Sequence, residues 1–375
     1  GSRRLGGFGR QLQLRHQRYA RRLNEPRRMA RSVWAEAFMT GLRGKAARGD
    51  VDALFARASS ITPVDAESQA RAATLLPLLR GILSTAAGEY PVGRGQLARA
   101  LRTARERGRA QAWELAVAET YMLWAMVQLG ELRAMSTRIQ GLLSDAEPRA
   151  DRFFETTLTT GTCALAKLGE GDAAEVLRRA DRVRAVWDRA SAPLPHALAD
   201  LATLYAHLYE GDAEQAERCV HATLGPDVPG SHLGIEHLDV ELSMGRALAA
   251  LAVARLGQRP LRARQALALT ERIAGGIRAD TRPAHHVLAK LLDGLVLIEK
   301  RREPDAMVAL HEAESELRRR GMATLATVTR AAHGVALGGD AGREFVQQAR
   351  HDLRAFGVRH PDAFLGIWVG LLRTE

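Results

Sequence analysis

An all-α fold, a right-handed α-solenoid of about nine helical hairpins, is what this 375-residue sequence predicts, and three observations predict it. Composition is the first: 13 Pro, 5 Tyr and very few Ile argue against a β-rich protein, while Ala, Leu, Arg and Glu dominate and favour helix. The second is a recurring breaker, Gly-Asp or a close variant, at intervals between 36 and 46 residues. Gly supplies the left-handed conformation that ends one helix, and the acid sits where backbone N–H groups open the next. The third is the flanking pattern. Leu115, Ala118, Met122, Ala125, Met126 and Leu129 follow the 3-4-3 spacing of one buried helical stripe.

The elements follow in order. Residues 1–50 are expected to form the Arg-rich first helices of the array, turned at Asn24-Glu25-Pro26, and would be the junction to an upstream module if the native chain continues before Gly1. Residues 51–375 carry the repeats and their capping helices. The breakers are Gly49-Asp50, Gly88-Glu89, Gly130-Glu131, Gly171-Asp172, Gly211-Asp212, Gly257-Gln258, Glu303-Pro304 and Gly339-Asp340. After Gly171 a second stripe runs through Val176, Leu177, Ala180 and Val183 to Trp187. The Pro/Gly-rich linkers 190–195 and 225–230 are too short to separate domains.

The formal charge of +11 invites a nucleic-acid or membrane partner, but its distribution narrows that. Residues 1–50 carry a net +10, and the remainder is nearly neutral. Arg15, Arg18 and Arg22 fall on one helical face with Tyr19 beside them, and Arg21 completes a basic patch. Such a face could hold phosphates, an acidic peptide or a lipid surface, or serve as the solvated cap that a terminal repeat requires. Two cysteines, Cys163 and Cys219, exclude a disulfide framework and read as buried thiols. No apolar run approaches the ~20 residues of a membrane span, and no signal peptide is evident, which predicts a cytoplasmic protein without membrane partners.

The sequence carries no complete catalytic motif. Gly41-Leu42-Arg43-Gly44-Lys45-Ala46 is too short for a phosphate loop and lacks its Ser/Thr. His311-Glu312 begins a zinc-protease pattern, but position 315 is Ser. His232 and His237, five apart around Glu236 with Asp239 nearby, could hold zinc but read as solvated side chains at a helix start; His285-His286 point to different helix faces. His351-Asp352-Leu353 lacks the Arg and Asn of a kinase catalytic loop. The expectation is therefore no enzyme, no cofactor and no metal.

Gly211-Asp212-Ala213-Glu214-Gln215-Ala216, preceded by the aromatic helix 204–209, resembles the hinge of tetratricopeptide repeats, although that family's common repeat is shorter. Further blocks resemble the C-terminal repeat region of bacterial serine/threonine kinases that carry a STAND-type ATPase module. They are Trp113-Glu114-Leu115, Leu123-Trp124-Ala125, Leu129-Gly130-Glu131-Leu132, Leu208-Tyr209-Glu210-Gly211-Asp212, and the tail Gly321-Met322, Leu337–Arg343 and Phe356–Pro361. Arg15-His16 and Asn24-Glu25-Pro26 fit the start of that region. The resemblance implies a non-catalytic sensor or scaffold that binds a peptide, protein or small ligand in a concave groove and regulates an upstream kinase/ATPase. It also implies that Tyr121, Trp124, Phe153, Tyr205, His207 and Tyr209 line the groove, the alternative being that these aromatics pack between helices. Two other functions stand beside it: a nucleic-acid-associated regulator using Arg15, Arg18, Arg21 and Arg22, and a stand-alone peptide-pheromone receptor.

Overall fold

The computed structural model describes residues 2–41, 48–61, 65–107, 112–224, 236–256, 259–279 and 282–370. Among them every regular element is helical: nineteen α-helices, two short 3-10 turns and no strand. The chain divides into two compact units, one built on Gly1–Ala125 and the other on Met126–Ser231, Leu238–Asp280 and Ala284–Glu375.

The first unit contains α1 (Ser2–Leu23), α2 (Pro26–Gly41), α3 (Arg48–Ile61), α4 (Ala66–Ala86), α5 (Tyr90–Arg107) and most of α6 (Ala112–Gln128). Consecutive helices pack as α1 on α2, α2 on α3 and α4 on α5, with α2 also touching α4. Asn24 makes the α1–α2 corner at φ 47°, a left-handed position that Asn tolerates better than most residues. The core under this corner joins Trp34 and Ala37 of α2 to Phe55 and Ala58 of α3, with the Trp34 and Phe55 rings 5.5 Å apart. Asp65 opens α4 by accepting a hydrogen bond from the Ser68 N–H at 2.9 Å.

The second unit runs through α7 (Leu132–Ala146), α8 (Arg152–Thr159), α9 (Ala164–Gly169), α10 (Ala173–Val186), α11 (Pro193–Glu210) and α12 (Ala213–Leu224). It continues with α13 (Glu236–Leu256), α14 (Pro260–Arg278), α15 (Pro283–Glu299), α16 (Glu303–Arg319), α17 (Ala323–Leu337), α18 (Gly339–Phe356) and α19 (Pro361–Val369). Pro stands first in α2, α11, α14, α15 and α19, where its missing N–H costs nothing.

The Gly hinges have one repeated geometry. Gly88, Gly130, Gly171 and Gly211 sit at φ 78°, 77°, 84° and 78°. In each case the Gly N–H donates three residues back and the next N–H donates five back. At Gly211 these bonds reach the Leu208 carbonyl at 3.1 Å and the His207 carbonyl at 2.8 Å. This double bond closes the helix end and requires the left-handed residue. Where the following acid is Asp it caps the next helix: Asp172 accepts from the Glu175 N–H and Asp212 from the Gln215 N–H, both at 3.0 Å, whereas Glu131 after Gly130 makes no such bond. Asp172→Ala is expected to cost about 1 kcal/mol of stability in urea unfolding, and Asp172→Asn only a fraction of that.

Other breakers fall differently. Gly49 lies inside the first turn of α3, and Gly257-Gln258 lies outside the described residues. The break near Glu303-Pro304 occurs at Arg301, φ 55°, while Glu303 already begins α16. Gly321 and Gly357 form the same double bond although the periodic series omits them.

Within the second unit the end of the chain returns to its beginning. The Thr324 hydroxyl, in α17, donates to the carbonyl of Val127. The Phe356 ring lies against Gly130, and Gly357 against Arg133. The Arg359 N–H then donates to the Gly169 carbonyl at 2.8 Å, and His360 lies against Gly171. Finally α19 packs on α9, α11 and α17. The closing segment of this unit therefore contacts helices that lie far apart in the sequence.

Candidate functional site

Two sets of side chains were singled out by sequence, and they have different surroundings. In the aromatic set, Tyr121 is half-buried beside buried Trp124, ring centroids 4.8 Å apart, in the first unit. Phe153 is exposed and meets Trp187 edge-on at 6.3 Å. Tyr205 and Tyr209 are buried, His207 half-buried, all on α11. The Tyr205 ring stands 6.4 Å from Trp368 of α19. Of the helices that end on the Gly hinges, α9 and α11 both contact α19, the last described helix.

Their electrostatics are those of buried, uncharged groups. Burial, then the nearby charge of Glu241, pushes the Tyr205 hydroxyl upward; burial does the same to Tyr209. Cys163 is a buried free thiol, pushed upward by burial and then by the charge of Glu241, which disfavours the thiolate. Cys219 is half-buried and its thiol lies 3.4 Å from the Asp200 carbonyl.

His207 and His333 are both lowered by burial against the opposing pull of Asp212 and Glu210 on the first and of Glu314 on the second. Because the folded state holds them neutral while the unfolded chain protonates near 6.5, stability present above that pH is lost as pH falls below it. Urea midpoints should drop between pH 7.5 and 5.5, and His333→Gln should flatten part of that slope. Carboxylates held low, such as Glu175 by Arg179, act only below their ordinary range near 4.5 and leave this window clean.

No group of three or more His, Cys, Asp or Glu among the described residues is arranged to hold a metal ion. Glu312 pairs with Lys290 at 2.6 Å, and His311 packs against the His333 ring at 6.0 Å. Asp352 accepts from Arg330 at 2.6 Å. Residues 42–47 and His232 lie outside the described residues. The buried polar groups instead tie neighbouring helices. Asp200 of α11 receives Arg184 at 2.9 Å and Arg189 at 3.2 Å, and Arg330 of α17 bridges Glu314 of α16 and Asp352 of α18.

The basic set lies in the first unit. Arg15, Arg18, Arg21 and Arg22 are all exposed on α1, and none has an ion-pair partner among the described residues. Beside them is a cleft of about 540 Å³ between α1, α2 and α4, within the range of small ligand sites. Its floor includes Trp34 and Leu75, and its edges Tyr19, Leu23, Arg31 and Arg71. Arg71 is spent on Glu114, a buried carboxylate at 2.9 Å, and Arg27 on Asp65 at 3.1 Å. The sequence pointed to the arginines and Tyr19 but not to the cleft. Its signal was the pair Gln13 and Gln17, four residues apart, which turn one face of α1 polar toward α2.

Among the described residues no helix is long and apolar enough to cross a membrane. No protein-family model, curated protein or solved structure matches this chain.

Proposed function

We propose that this chain is a non-catalytic recognition module: an α-solenoid of tetratricopeptide-like hairpins that serves as the sensor or scaffold arm of a bacterial serine/threonine kinase with a STAND-type ATPase module. The observation that carries this reading is the identical hinge at Gly88, Gly130, Gly171 and Gly211, each closing one helix with the same double hydrogen bond about forty residues after the last. Repetition of one corner is how an array of helical hairpins is generated, and such arrays chiefly present surface to other molecules. The open cleft in the first unit offers such a surface, with exposed guanidinium groups and apolar side chains together.

Regulation would follow from differential binding. A partner that favours one packing of the hairpins shifts the array toward it, and only the difference in affinity between the two states does the work. The test is kinetic. Phosphoryl transfer by the parent kinase is measured with the array intact and with residues 1–375 removed. A changed basal rate or effector response supports the reading. Identical rates and responses, or a gene that encodes no kinase or ATPase with this array, overturn it.

A further inference from the structure

The outermost helix of the first unit turns its face the unexpected way. Gln13 and Gln17 point toward α2, donating to the Ser32 carbonyl and to Glu36, both at 2.7 Å, with Ala20 the buried apolar contact between the helices. Leu12, Tyr19 and Leu23 instead stand 48%, 61% and 59% exposed. At i, i+7 and i+11 they form one stripe, about 16 Å long at 1.5 Å per residue. Tyr19 and Leu23 also line the 540 Å³ cleft, where Trp34, Ala72 and Leu75 are joined by His16, Ser68 and charged side chains, so the stripe runs from Leu12 on the open face of α1 to the mouth of the cleft.

Cations flank it. Arg15 and Arg22 lie beside the stripe on α1, and Arg31 lines the cleft from α2; none has an ion-pair partner among the described residues. The acids nearby are committed: Asp65 to Arg27, Glu25 to Arg28 and Glu114 to Arg71. The stripe and the cleft it meets therefore offer a three-turn apolar row with unneutralised guanidinium groups beside it, Arg15 and Arg22 on α1 and Arg31 in the cleft.

That geometry selects among occupants. A bilayer surface is flat and cannot reach a floor set by buried Trp34. A nucleic acid would use the arginines and stack on Tyr19, but has no row of apolar groups for Leu12 and Leu23. An amphipathic helix has one, spaced at i, i+3 or i+4 and i+7, and acids along its flanks complete the match. We infer that the cleft between α1, α2 and α4 docks an acidic amphipathic helix of a partner protein, its apolar row on Leu12, Tyr19 and Leu23 and its carboxylates on Arg15, Arg22 and Arg31. The inference deepens the recognition-module reading by naming the surface and the partner class.

The test uses the full chain and a fluorescein-labelled, helix-stapled peptide with Leu at helical spacing and Glu on both flanks, read by anisotropy. Controls are a scrambled peptide of equal composition, phosphatidylglycerol vesicles and a single-stranded oligonucleotide. Saturable binding below about 100 µM is expected, weakened about tenfold by Tyr19→Asp or Leu23→Asp. Arg31→Glu should weaken it most at low salt. Arg21→Glu, on the opposite side of α1 from the stripe, should change it less than about twofold. Because these side chains are exposed, circular dichroism of each variant should match the parent. Absent binding, equal binding of the scrambled peptide, or vesicle or oligonucleotide binding that the stapled peptide fails to displace overturns the inference. The kinase truncation experiment is untouched by either result, so the two readings fail separately.

Discussion

Phe364→Ala lowers the stability of the second unit by about 3–5 kcal/mol, and Trp368→Ala by a similar amount, among the largest losses a single substitution in this chain should produce. Both rings are buried, with centroids 5.3 Å apart, and Trp368 reaches Tyr205 across the interface with α11. Truncation removes the transfer energy of an aromatic side chain and leaves a void in α19, a helix packed against α9, α11, α17 and α18. The helix and its surroundings are held by other bonds, including Arg359 N–H to the Gly169 carbonyl and Arg255 to the Trp368 carbonyl at 3.3 Å, so collapse into the void is limited. Phe153→Ala is the contrast: its ring is exposed and its one aromatic contact is edge-on, so the loss should stay near 1 kcal/mol. Urea unfolding by circular dichroism measures all three. A loss below about 1 kcal/mol for Phe364→Ala would mean that α19 does not occupy this position in solution.

The same comparison shows what could and could not be read from the residues. The hinges were legible because a left-handed corner selects Gly and the following helix start selects Asp: Gly171-Asp172 and Gly211-Asp212 behave as their residue types require. Arg301 was not, since a non-Gly residue takes the same left-handed corner within a Lys-Arg-Arg run that looks like ordinary surface. The apolar stretch from Phe364 to Val369 announced burial, but a run of apolar residues does not say which helices cover it. Helical period places Tyr205 and Tyr209 on α11 equally well in an open groove and beneath α19; only the return of the chain distinguishes these. On α1 the limit is of another kind. Period alone puts Leu12, Tyr19 and Leu23 in one stripe and would send it inward, yet Gln13 and Gln17 find a carbonyl and a carboxylate on α2 and take that place.

The connection between α17 and α18 makes the second large prediction, because it is a single residue, Gly338, between two antiparallel helices. So short a corner brings the helix axes together, and Gly334 and Gly342 lie one turn to either side of it. A Cβ on Gly342 would sit 2.3 Å from the Gly334 carbonyl oxygen, and one on Gly334 2.6 Å from the Gly342 carbonyl oxygen and 2.9 Å from Phe345 Cβ. Backbone atoms cannot rotate aside, so either substitution must push the helices apart. That strains the Arg330 bridge, which reaches Glu314 on one side and Asp352 on the other. Gly334→Ala and Gly342→Ala should each cost about 2–3 kcal/mol, overpacking outweighing the gain of up to ~1 kcal/mol in helix propensity. The double variant should cost clearly less than the sum, because the first Cβ already opens the space the second needs. Gly275→Ala, inside α14 with nothing within 4 Å of the added carbon, should stabilise by about 0.5–1 kcal/mol. Opposite signs for the same chemical change, with the pair at Gly334 and Gly342 non-additive, would establish that helix approach at this corner, and not glycine's flexibility, is what keeps those two positions without side chains.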